Sequence, residues 1–579
     1  MVRDRARGGE PMKRSWTTGS DIFVELLVRA GIERAFAVTG GAVMDFVDAL
    51  EANPALELQC FQTEQGAAWA AMGYTQVTGK LCAVTATSGP GATNFITPLS
   101  DALRDNIPLL VVTGQVARSA RNTDAFQEID ITVIAASVAK KVVYLERMED
   151  AADVLADAIR VAFDGRPGPV LIDFPKDLQQ QACAPLPPRA PAVAKAKPRP
   201  TASGLEEVVA SLRHAERPVI IAGRGVVIAQ ARSELLALLE AAPIPVVHTL
   251  PGKAALSSTH PHCHGMIGMH GFYVPNWIID NADLVISLGS RFDDRITGDT
   301  KRFAPNARRL VHFDIAQEQV QKVMPERKLG VVGHLKDTLG AFAALLEGKG
   351  LRFTQWHERI AAVREQYPST YKEQPGMLQA QLVLEQLNAA VRAHRAKSGQ
   401  RVIFTTEVGS HQMWAAQYLE IQPGDEFLTS AGLGCMGSGL PLALGAQIAN
   451  PDALVICIAG DGSLRFSEAE LETAWERALP VKVLLFNNDG YGIVRMWNNH
   501  FYEGRKTGVI KQGKQWTTLA RSNGFTDGHV DRVESPAALR GVLDRAVAHR
   551  GPHFLEMVTP YEDCLPLIPS GKSFKEIML

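Results

Sequence analysis

Several classes of protein are excluded by what this 579-residue sequence lacks. Its 60 basic and 62 acidic residues nearly cancel, and no basic stripe is interleaved with aromatic residues, so nucleic acid is not an expected partner. No run of about 18 apolar residues occurs, and no apolar segment follows the basic N-terminus, so neither a membrane span nor a secretory signal is predicted. We therefore expect a cytoplasmic protein that does not engage a membrane.

Cysteine is scarce and dispersed. The seven cysteines occur singly, with no CxxC pair, which predicts neither a disulfide framework nor a zinc site. What the sequence does have is length and many short apolar runs, with 46% of its residues hydrophobic. A chain of 579 residues exceeds what one hydrophobic core can organise, and its length corresponds to about three or four domains.

Short β-rich runs alternate along the chain with stretches of helical periodicity. The runs are LCAVTATSG, PLLVVTG, GPVLIDFP, PVIIAGRG, DLVISLG, RLVHFD, LVICIAGDG and VKVLLFNN. Examples of the helical stretches between them are ADVLADAIRVAFDG and GLEEVVASLRHA. Continuous apolar strands alternating with helices predict an α/β fold, in which doubly wound parallel sheets carry helices on both faces.

Two interruptions divide this series into three parts. Residues 182–203 are rich in proline, alanine and lysine and lack apolar periodicity, which is typical of a surface linker. A second change comes at about residues 350–378, where a charged helix precedes EQYPSTYKEQPG. We therefore predict an extension at 1–14 and three domains at 15–181, 204–345 and 379–560.

Polar residues follow two apolar strands near the C-terminus. Asp461 follows LVICIAG in a Gly-Asp-Gly turn, and Asn488 follows VKVLLFN, 27 residues further on. The carboxyl ends of parallel strands meet at one sheet edge, where a carboxylate, an amide oxygen and a backbone carbonyl near Gly490 suit octahedral Mg²⁺. Gly460 and Gly462 permit close turns around a ligand. An isolated Gly-Asp-Gly is usually an ordinary turn, but the matching Asn488 favours a metal-diphosphate site.

The segment from Gly460 to Asn488 resembles the motif that binds thiamine diphosphate (ThDP) in ThDP-dependent enzymes. Those enzymes need a carboxyl group that exchanges a proton with the pyrimidine ring of the cofactor. Glu64 is the candidate, because it follows a short strand and begins a helix rich in Gly and Ala. Taken alone, Glu64 would be a helix N-terminal acid favoured by the macrodipole. Together with Asp461 and Asn488, catalysis is the better interpretation.

Most of the chain, from about residue 18 to 572, resembles the large catalytic subunit of acetolactate synthase (acetohydroxyacid synthase). The matching stretches are ATSGPGATNFITPLSDALRDNIPLLVVTGQV, TDAFQE, GRPGPVLIDFPKDLQQQ, GMIGMHG, SRFDDRITG, EVGSHQMWAAQ, AGLGCMGSGLP and LPLIPSG. The resemblance implies decarboxylation of pyruvate and transfer of the two-carbon unit to a second 2-keto acid, giving 2-acetolactate or 2-aceto-2-hydroxybutyrate for branched-chain amino-acid synthesis. It also implies a homodimer or tetramer with ThDP at the dimer interface, and leaves open a separate regulatory subunit.

The same resemblance implies ThDP, Mg²⁺ and FAD as cofactors. Its ThDP positions are Gly40, Gly41, Pro90, Asn94, Val408, Gly409, Ser410, His411, Gly434, Met436, Gly462 and Ser463. Its FAD positions are Gly223, Gly225, Thr249, Leu250, Met269, His270, Gly271, Gly289, Arg291, Asp293, Asp314 and Ile315. Ser410 stands where Gln is usual, so its phosphate contact is open, and His411 alone could equally be a helix-start histidine. Arg224 interrupts a common Gly triplet and Lys197 stands for an expected FAD-contacting arginine, so FAD binding is open too.

The second 2-keto acid needs a cation to hold its carboxylate. In SRFDDRITG the resemblance assigns this task to Arg295, although an ion pair with Asp293 or Asp294 is the ordinary alternative. The resemblance also gives the acceptor pocket four further residues, Phe126, Gln127, Met269 and Trp497. An aromatic residue such as Trp497 is usually part of a core, but its position nine residues after Asn488 favours the pocket.

Some residues depart from the family near the mouth of its active site. They are Thr63, Ala117, Asn498, Asn499, Asp563 and Cys564. Because of them, transfer of the same two-carbon unit to another ketone or aldehyde stays open as the alternative activity. A flavin-dependent pyruvate oxidase is a third interpretation, which the SRFDDR stretch disfavours. A non-catalytic binding subunit is opposed by Glu64, Asp461 and Asn488.

Overall fold

The computed structural model describes residues 17–185, 204–321 and 325–579. The chain forms two compact units, Met1–Ala196 and Lys197–Leu579. The predicted extension at 1–14 and most of the predicted linker, including Lys197, lie outside the described residues. Within the described ranges, no helix is both long enough and apolar enough to cross a membrane.

The first unit has eight strands, six of which form one parallel sheet. Its strands are β1 (Thr17–Thr18), β2 (Arg34–Ala37), β3 (Glu57–Cys60), β4 (Ala83–Ala86), β5 (Leu109–Gln115), β6 (Lys141–Tyr144), β7 (Pro169–Pro175) and β8 (Ala182–Cys183). Its helices are α1 (Gly19–Arg29), α2 (Met44–Ala52), α3 (Glu64–Thr78), α4 (Pro90–Thr93), α5 (Ile96–Asp105), α6 (Ile131–Ala135), α7 (Ala151–Phe163) and α8 (Lys176–Gln180). The sheet has the order β3-β2-β4-β5-β7-β6, while β1 and β8 pair separately and antiparallel.

The second unit contains two sheets, and the first of them is also six-stranded and parallel. Its strands are β9 (Pro218–Ala222), β10 (Val246–His248), β11 (Cys263–Met266), β12 (Leu284–Leu288), β13 (Arg309–Asp314) and β14 (Lys328–Val332). The helices around it are α9 (Leu205–Arg213), α10 (Arg224–Ile228), α11 (Arg232–Ala241), α12 (Tyr273–Asn281), α13 (Asp294–Thr297), α14 (Gln317–Gln321), α15 (Leu335–Leu346) and α16 (Thr354–Gln366). The strand order is β11-β10-β9-β12-β13-β14.

The other sheet of the second unit repeats this arrangement. Its strands are β15 (Val402–Thr406), β16 (Glu426–Thr429), β17 (Leu454–Gly460), β18 (Lys482–Asn487), β19 (Val530–Val533) and β20 (His553–Val558). Its helices are α17 (Ala380–Ser398), α18 (Ser410–Tyr418), α19 (Gly439–Ala449), α20 (Asp461–Leu464), α21 (Glu470–Glu476), α22 (Gly492–Phe501), α23 (Trp516–Ser522) and α24 (Pro536–Ala548). The strand order is β16-β15-β17-β18-β20-β19, with every neighbouring pair parallel.

The prediction of an α/β fold is confirmed. Each of the eight β-rich runs contains a strand of a parallel sheet, and the strands β17 and β18 are buried along their whole length. Burial on both faces explains why these runs are continuously apolar rather than alternating. The charged helix predicted near residue 350 is α16, and its Trp356 and Ile360 pack into the apolar core of the β9–β14 sheet.

All three sheets reverse their strand order between two central strands. The reversal falls between β2 and β4, between β9 and β12, and between β15 and β17. At such a switch point the two connections leave the sheet in opposite directions, so a crevice opens at the carboxyl ends of the two strands. The topology therefore provides three places where a ligand can enter.

Polar contacts join the two sheets of the second unit. Arg232 at the start of α11 donates to both carboxylate oxygens of Glu426 in β16, at 3.0 and 2.6 Å. The buried Lys253 donates to the Ala416 carbonyl oxygen at 2.8 Å. Because Glu426 is only 11% exposed, a two-pronged guanidinium is the partner that satisfies both of its oxygens.

Candidate functional site

The residues predicted to bind cofactors fall at the carboxyl ends of strands, and most of them at the three switch points. Gly40 and Gly41 follow β2; Pro90 and Asn94 follow β4; Gly223 and Gly225 follow β9; Gly289, Arg291 and Asp293 follow β12; Val408 to His411 follow β15; Asp461 to Ser463 follow β17. The remaining ones follow neighbouring strands: Thr249 and Leu250, Met269 to Gly271, Asp314 and Ile315, Gly434 and Met436, Asn488 and Gly490. Parallel topology thus gathers positions that are far apart in sequence.

The predicted metal ligands converge at the ends of β17 and β18. Asp461 is 1% exposed, and its Oδ2 has no hydrogen-bond partner. The side-chain amide of Asn488 directs one of its two polar atoms toward the other predicted ligands. This atom lies 3.3 Å from Asp461 Oδ1 and 3.2 Å from the Gly490 carbonyl oxygen. In one amide orientation its nitrogen donates to both. In the other, three oxygens face each other at about the 3 Å that separates neighbouring ligands around octahedral Mg²⁺.

Burial raises the pKa of Asp461 to about 7, with the neighbouring Asp489 also raising it. An unpaired, buried carboxylate is costly in the absence of a cation, and a divalent ion would remove that cost. Among the described residues, no group of three or more His, Cys, Asp or Glu side chains could hold a metal. A site here therefore uses one carboxylate with amide and backbone oxygens, which fits Mg²⁺ better than zinc.

Three glycines around this site are required by close packing within the protein. A Cβ on Gly460 would lie 2.4 Å from His411 Nδ1, and one on Gly462 would lie 2.5 Å from the Tyr491 ring. A Cβ on Gly490 would lie 2.2 Å from the Val509 carbonyl oxygen. These distances are shorter than any van der Waals contact, so a side chain at any of the three positions displaces the loops that carry the metal ligands.

The start of α18 presents two unsatisfied polar groups to the same region. Ser410 Oγ and His411 Nε2 are buried without a hydrogen-bond partner. A Cβ built on Gly492 would lie 3.1 Å from both Ser410 Oγ and Asn488 Nδ2, so Ser410 adjoins the metal ligands. Burial lowers the pKa of His411 to about 3, so its ring is neutral at pH 7. The orphaned Ser410 hydroxyl, a donor at a helix N-terminus, fits a diphosphate and stands where the family usually has Gln. The neutral His411 ring donates from its other nitrogen to the Glu407 backbone, so its Nε2 is an acceptor.

The segment after β16 lies beside the loop after β15. A Cβ on Gly434 would lie 3.8 Å from the Val408 side chain, and Gly434 N–H donates to Ser430 Oγ at 3.1 Å. Val408 N–H donates to Ser463 Oγ at 3.3 Å. Glu407, which the sequence pattern did not single out, is completely buried between these segments. The available signal was an acidic residue placed directly after an apolar strand.

In the first unit, Glu64 begins α3 and is half-buried. Thr63 caps this helix by accepting a hydrogen bond from Gly66 N–H at 3.0 Å, which fixes the backbone that carries Glu64. Asn94 Nδ2 donates to Glu64 Oε2 at 2.9 Å, and a Cβ on Gly91 would lie 3.4 Å from Glu64 Oε1. The predicted catalytic acid therefore faces the switch-point loop after β4.

The same loop meets two further connections of the first unit. A Cβ on Gly40 would lie 2.6 Å from Thr87 Cβ, so the loop after β2 packs directly on the loop after β4. A Cβ on Gly89 would lie 2.8 Å from the Gln127 carbonyl oxygen. Gln127 has a φ of 62°, a strained backbone for a residue with a side chain, and its neighbour Phe126 is 88% exposed. Gln127 thus adjoins the loop that contacts Glu64.

In the second unit, Arg295 is 59% exposed and its guanidinium is only weakly paired. Asp294 lies 3.9 Å away, while Asp293 is taken by Arg291 at 2.7 Å and caps α13. Arg295 Nη1 lies 3.6 Å from the sulfur of Met269, the other residue predicted for the acceptor pocket. Of the two alternative ion pairs, the structure thus has the one with Asp294 and not the one with Asp293. An ion pair this long and this exposed holds the guanidinium only weakly.

The switch point between β9 and β12 fits a dinucleotide in some of its groups and not in others. Gly223 and Gly225 donate their backbone N–H groups to the Leu288 and Gly289 carbonyl oxygens, so these two amides are not free for a pyrophosphate. Ser290 Oγ, however, is buried at the same crevice without a partner. Asp314 lies at the end of β13, where a carboxylate suits ribose hydroxyls. The polar residues here fit a nucleotide, although the glycines serve loop packing.

Trp497 lies on α22 at the edge of the β15–β20 core. Its ring packs on Phe501 at 5.0 Å, and both it and Met269 contact the same apolar cluster. On the same helix, Arg495 lines a cavity of about 420 Å³ together with Asn488, Thr559 and Tyr561. Trp497 and Met269 thus border the same apolar core, and Arg295 contacts Met269.

Two of the family departures, Asn499 on α22 and Asp563 after β20, are linked through Tyr561. Asn499 Nδ2 donates to the Tyr561 hydroxyl at 3.2 Å, and Tyr561 donates to Asp563. His500 Nε2 lies 2.7 Å from the other oxygen of Asp563. The departures Asn499 and Asp563 thus form one network that joins α22 to the C-terminal segment.

Comparisons with known proteins agree with this geometry. Three family models match: the N-terminal TPP (thiamine pyrophosphate) binding domain of thiamine pyrophosphate enzymes at residues 17–134, their central domain at 205–342 and their C-terminal TPP binding domain at 407–557. The chain is 37% identical to acetolactate synthase 1, chloroplastic, of Zea mays, covering 97% of this chain and 88% of that protein.

Two microbial relatives are equally similar. Identity is 37% to the acetolactate synthase isozyme 2 large subunit of Escherichia coli, over 97% of this chain and 99% of that protein. It is 36% to the mitochondrial acetolactate synthase catalytic subunit of Saccharomyces cerevisiae, over 97% and 83%. Thiamine diphosphate binding is thus a property of the family, and the chain belongs to the acetolactate synthase catalytic subunits among the thiamine diphosphate enzymes.

Proposed function

We propose that this protein is an acetolactate synthase, which decarboxylates pyruvate and transfers the two-carbon unit to a second pyruvate or to 2-ketobutyrate. The observation that carries this assignment over other ThDP reactions is Arg295. Among the described residues its guanidinium has only a long, exposed ion pair with Asp294, at 3.9 Å, and it lies beside Met269, so a 2-keto acid carboxylate can displace that pair and bind in a two-pronged manner.

The cofactor would be held by groups that the fold leaves unsatisfied. Asp461, Asn488 and the Gly490 carbonyl would bind Mg²⁺, and Ser410 would donate to the diphosphate, with the neutral His411 ring beside it. The loops carrying Val408, Gly409, Gly434, Met436, Gly462 and Ser463 would border the cofactor. When bound, ThDP supplies a nucleophilic thiazolium carbon and an electron sink for decarboxylation.

Glu64 would exchange a proton with the pyrimidine ring of the cofactor. Asn94 fixes the carboxyl group by donating to Oε2, which leaves Oε1 to face the ring. Gln127 lies next to the loop that carries Asn94, and its strained backbone is typical of a residue placed for function. We assign Gln127 to the substrate pocket together with the exposed Phe126.

The acceptor pocket would be completed by Trp497 and Met269, whose apolar surfaces favour a 2-keto acid with a short alkyl chain. FAD would occupy the central switch point, with Ser290 and Asp314 as polar contacts beside Thr249, Leu250, His270, Gly271 and Ile315. Because the amides of Gly223 and Gly225 are already bonded, we expect the pyrophosphate to depend on side chains such as Arg291.

The domain and assembly predictions belong to the same proposal. The three family models and three sheets support domains at 15–181, 204–345 and 379–560. We further propose a homodimer or tetramer with ThDP at the dimer interface, acting in the cytoplasm. The name of the Escherichia coli relative, a large subunit, favours a separate small partner for this chain as well.

The test is direct. Purified protein with pyruvate, Mg²⁺, ThDP and FAD should consume pyruvate and form a product that acid converts to acetoin. Acetaldehyde or acetate alone, without acid-dependent acetoin, would reject acetolactate synthesis. If pyruvate is consumed only when another ketone or aldehyde is supplied, the chain is a carboligase of different acceptor specificity. The flavin content of the purified protein, read from its absorption near 450 nm, tests FAD separately.

A further inference from the structure

Glu407 lies directly after β15 and is completely buried. Its Oε2 accepts hydrogen bonds from Gly437 N–H at 2.7 Å and from Ser463 Oγ at 2.8 Å. Its Oε1 accepts from Leu440 N–H at 3.1 Å and from Ser467 Oγ at 3.3 Å. Within the described part of the chain, no cationic side chain forms an ion pair with it. Four donors therefore take the place of a counter-ion and offset the cost of burying the carboxylate.

The four donors come from two separate segments. Gly437 lies in the connection between β16 and α19 and Leu440 in the first turn of α19, whereas Ser463 and Ser467 belong to the connection after β17. The first segment also carries Gly434 and Met436, and the second begins at the metal ligand Asp461. Glu407 thus bridges the two cofactor-bearing segments.

The hydrogen bonds of Ser463 also support a bridging role for Glu407. Its hydroxyl donates to Glu407 and accepts from Val408 N–H at 3.3 Å and Gly437 N–H at 3.4 Å. One donor and two acceptor positions are all that a hydroxyl has. The Ser463 side chain therefore has no proton left for a phosphate oxygen, and it acts on the cofactor site through Glu407.

We propose that Glu407 is a positioning residue. Its carboxylate fixes segments 434–440 and 461–467 relative to each other, so that both segments can contact ThDP. The inference rests on ThDP binding and not on the identity of the acceptor. In Glu407→Gln an amide NH₂ group would replace one carboxylate oxygen and would face groups that are themselves donors. At least one buried donor would then have no acceptor.

The test compares Glu407→Gln with Glu472→Gln, the same change at an exposed residue of the same sheet region. ThDP is titrated at saturating Mg²⁺ by the quenching of tryptophan fluorescence, since Trp414 is buried within α18. One unsatisfied buried donor corresponds to roughly tenfold to hundredfold weaker ThDP binding in Glu407→Gln. The KM for pyruvate at saturating ThDP should stay within about twofold, and Glu472→Gln should match wild type in both.

A rescue variant distinguishes a positioning role of Glu407 from a general effect on protein stability. Glu407→Asp keeps the charge and should recover part of the lost affinity, while the apo protein of all variants is compared by its unfolding midpoint. The proposal would be overturned if Glu407→Gln had wild-type ThDP affinity and wild-type kcat. It would also be overturned if the loss of ThDP binding only matched the fraction of unfolded protein. If Glu407→Gln does not fold, Ser463→Ala should weaken ThDP binding more than Ser467→Ala, because its bond is shorter; equal, wild-type-like binding by both would overturn it.

The fluorescence titration needs no turnover, so the two proposals fail separately. Wild-type protein that binds ThDP but forms no acetolactate contradicts the proposed reaction and leaves Glu407 in place. Wild-type protein that forms acetolactate, with unaltered ThDP binding in Glu407→Gln, contradicts the Glu407 role alone.

Discussion

Replacing Asp461 by asparagine should make the cofactor-free protein more stable at pH 8 while abolishing its metal site. Burial raises the pKa of Asp461 to about 7, against an unfolded value near 3.8. A raised acid pKa means that the folded protein holds its proton more tightly, so folding loses stability as pH rises and regains it as pH falls. The ionised carboxylate therefore costs about 4 kcal/mol at pH 8 and about 2 kcal/mol at pH 5.5.

Asparagine removes this cost but adds one of its own. Asp461 Oδ2 has no partner, so an amide nitrogen in its place would be a buried donor without an acceptor, at about 1–3 kcal/mol. The balance leaves Asp461→Asn more stable by about 1–3 kcal/mol at pH 8 and within about 1 kcal/mol of wild type at pH 5.5. For a region of this size, each kcal/mol corresponds to about 2–4 °C in melting temperature.

The assay is calorimetric unfolding of both proteins in EDTA, without ThDP, at pH 8 and pH 5.5. Other titrating groups are common to both proteins, so the difference between them reports on position 461. Adding Mg²⁺ and ThDP should raise the melting temperature of wild type and leave the variant unchanged. A difference that does not vary with pH would refute the argument that a buried, unpaired charge resides at Asp461, even if activity were lost.

Further predictions concern the other site residues. Glu64→Gln should lower kcat at least a hundredfold with ThDP binding retained, because Asn94 still has an oxygen to bond; wild-type turnover would remove Glu64 from the mechanism. Arg295→Gln should raise the half-saturating acceptor concentration by roughly tenfold to a hundredfold without changing ThDP affinity, as measured by competition between pyruvate and 2-ketobutyrate. Gly462→Ala should weaken ThDP binding at least tenfold, because its Cβ lies 2.5 Å from the Tyr491 ring; normal affinity would show that the loop yields freely.

The elements of the fold were predictable where burial determined the sequence. LVICIAG is β17 residue for residue, and the helix predicted in GLEEVVASLRHA begins at Leu205. Strands such as β14 and β19 are partly exposed and have no continuous apolar run, so periodicity gave no signal for them. The positions of Asp461 and Asn488 at neighbouring strand ends followed from parallel topology alone.

Side-chain partnerships were less predictable, because they depend on contacts between distant segments. The sequence left Arg295 with two neighbouring aspartates, and only the geometry shows that Arg291 engages Asp293. The bridging role of Glu407 needs residues 30 to 60 positions away. The network of Asn499, Tyr561 and Asp563 likewise joins positions about 62 residues apart, which no local pattern reports.

The packing of Gly460, Gly462 and Gly490 has an evolutionary consequence. Any amino-acid change at a glycine codon adds at least a Cβ, and at these three positions that atom would lie 2.2–2.5 Å from other atoms of the same chain. Selection on folding alone would therefore preserve them. In a descendant that had abandoned catalysis, Asp461 would be free to drift, and by the linkage argument even favoured to change, while the glycines persisted. Sequence surveys that read Gly-Asp-Gly as evidence of activity should accordingly weigh the aspartate and not its neighbours.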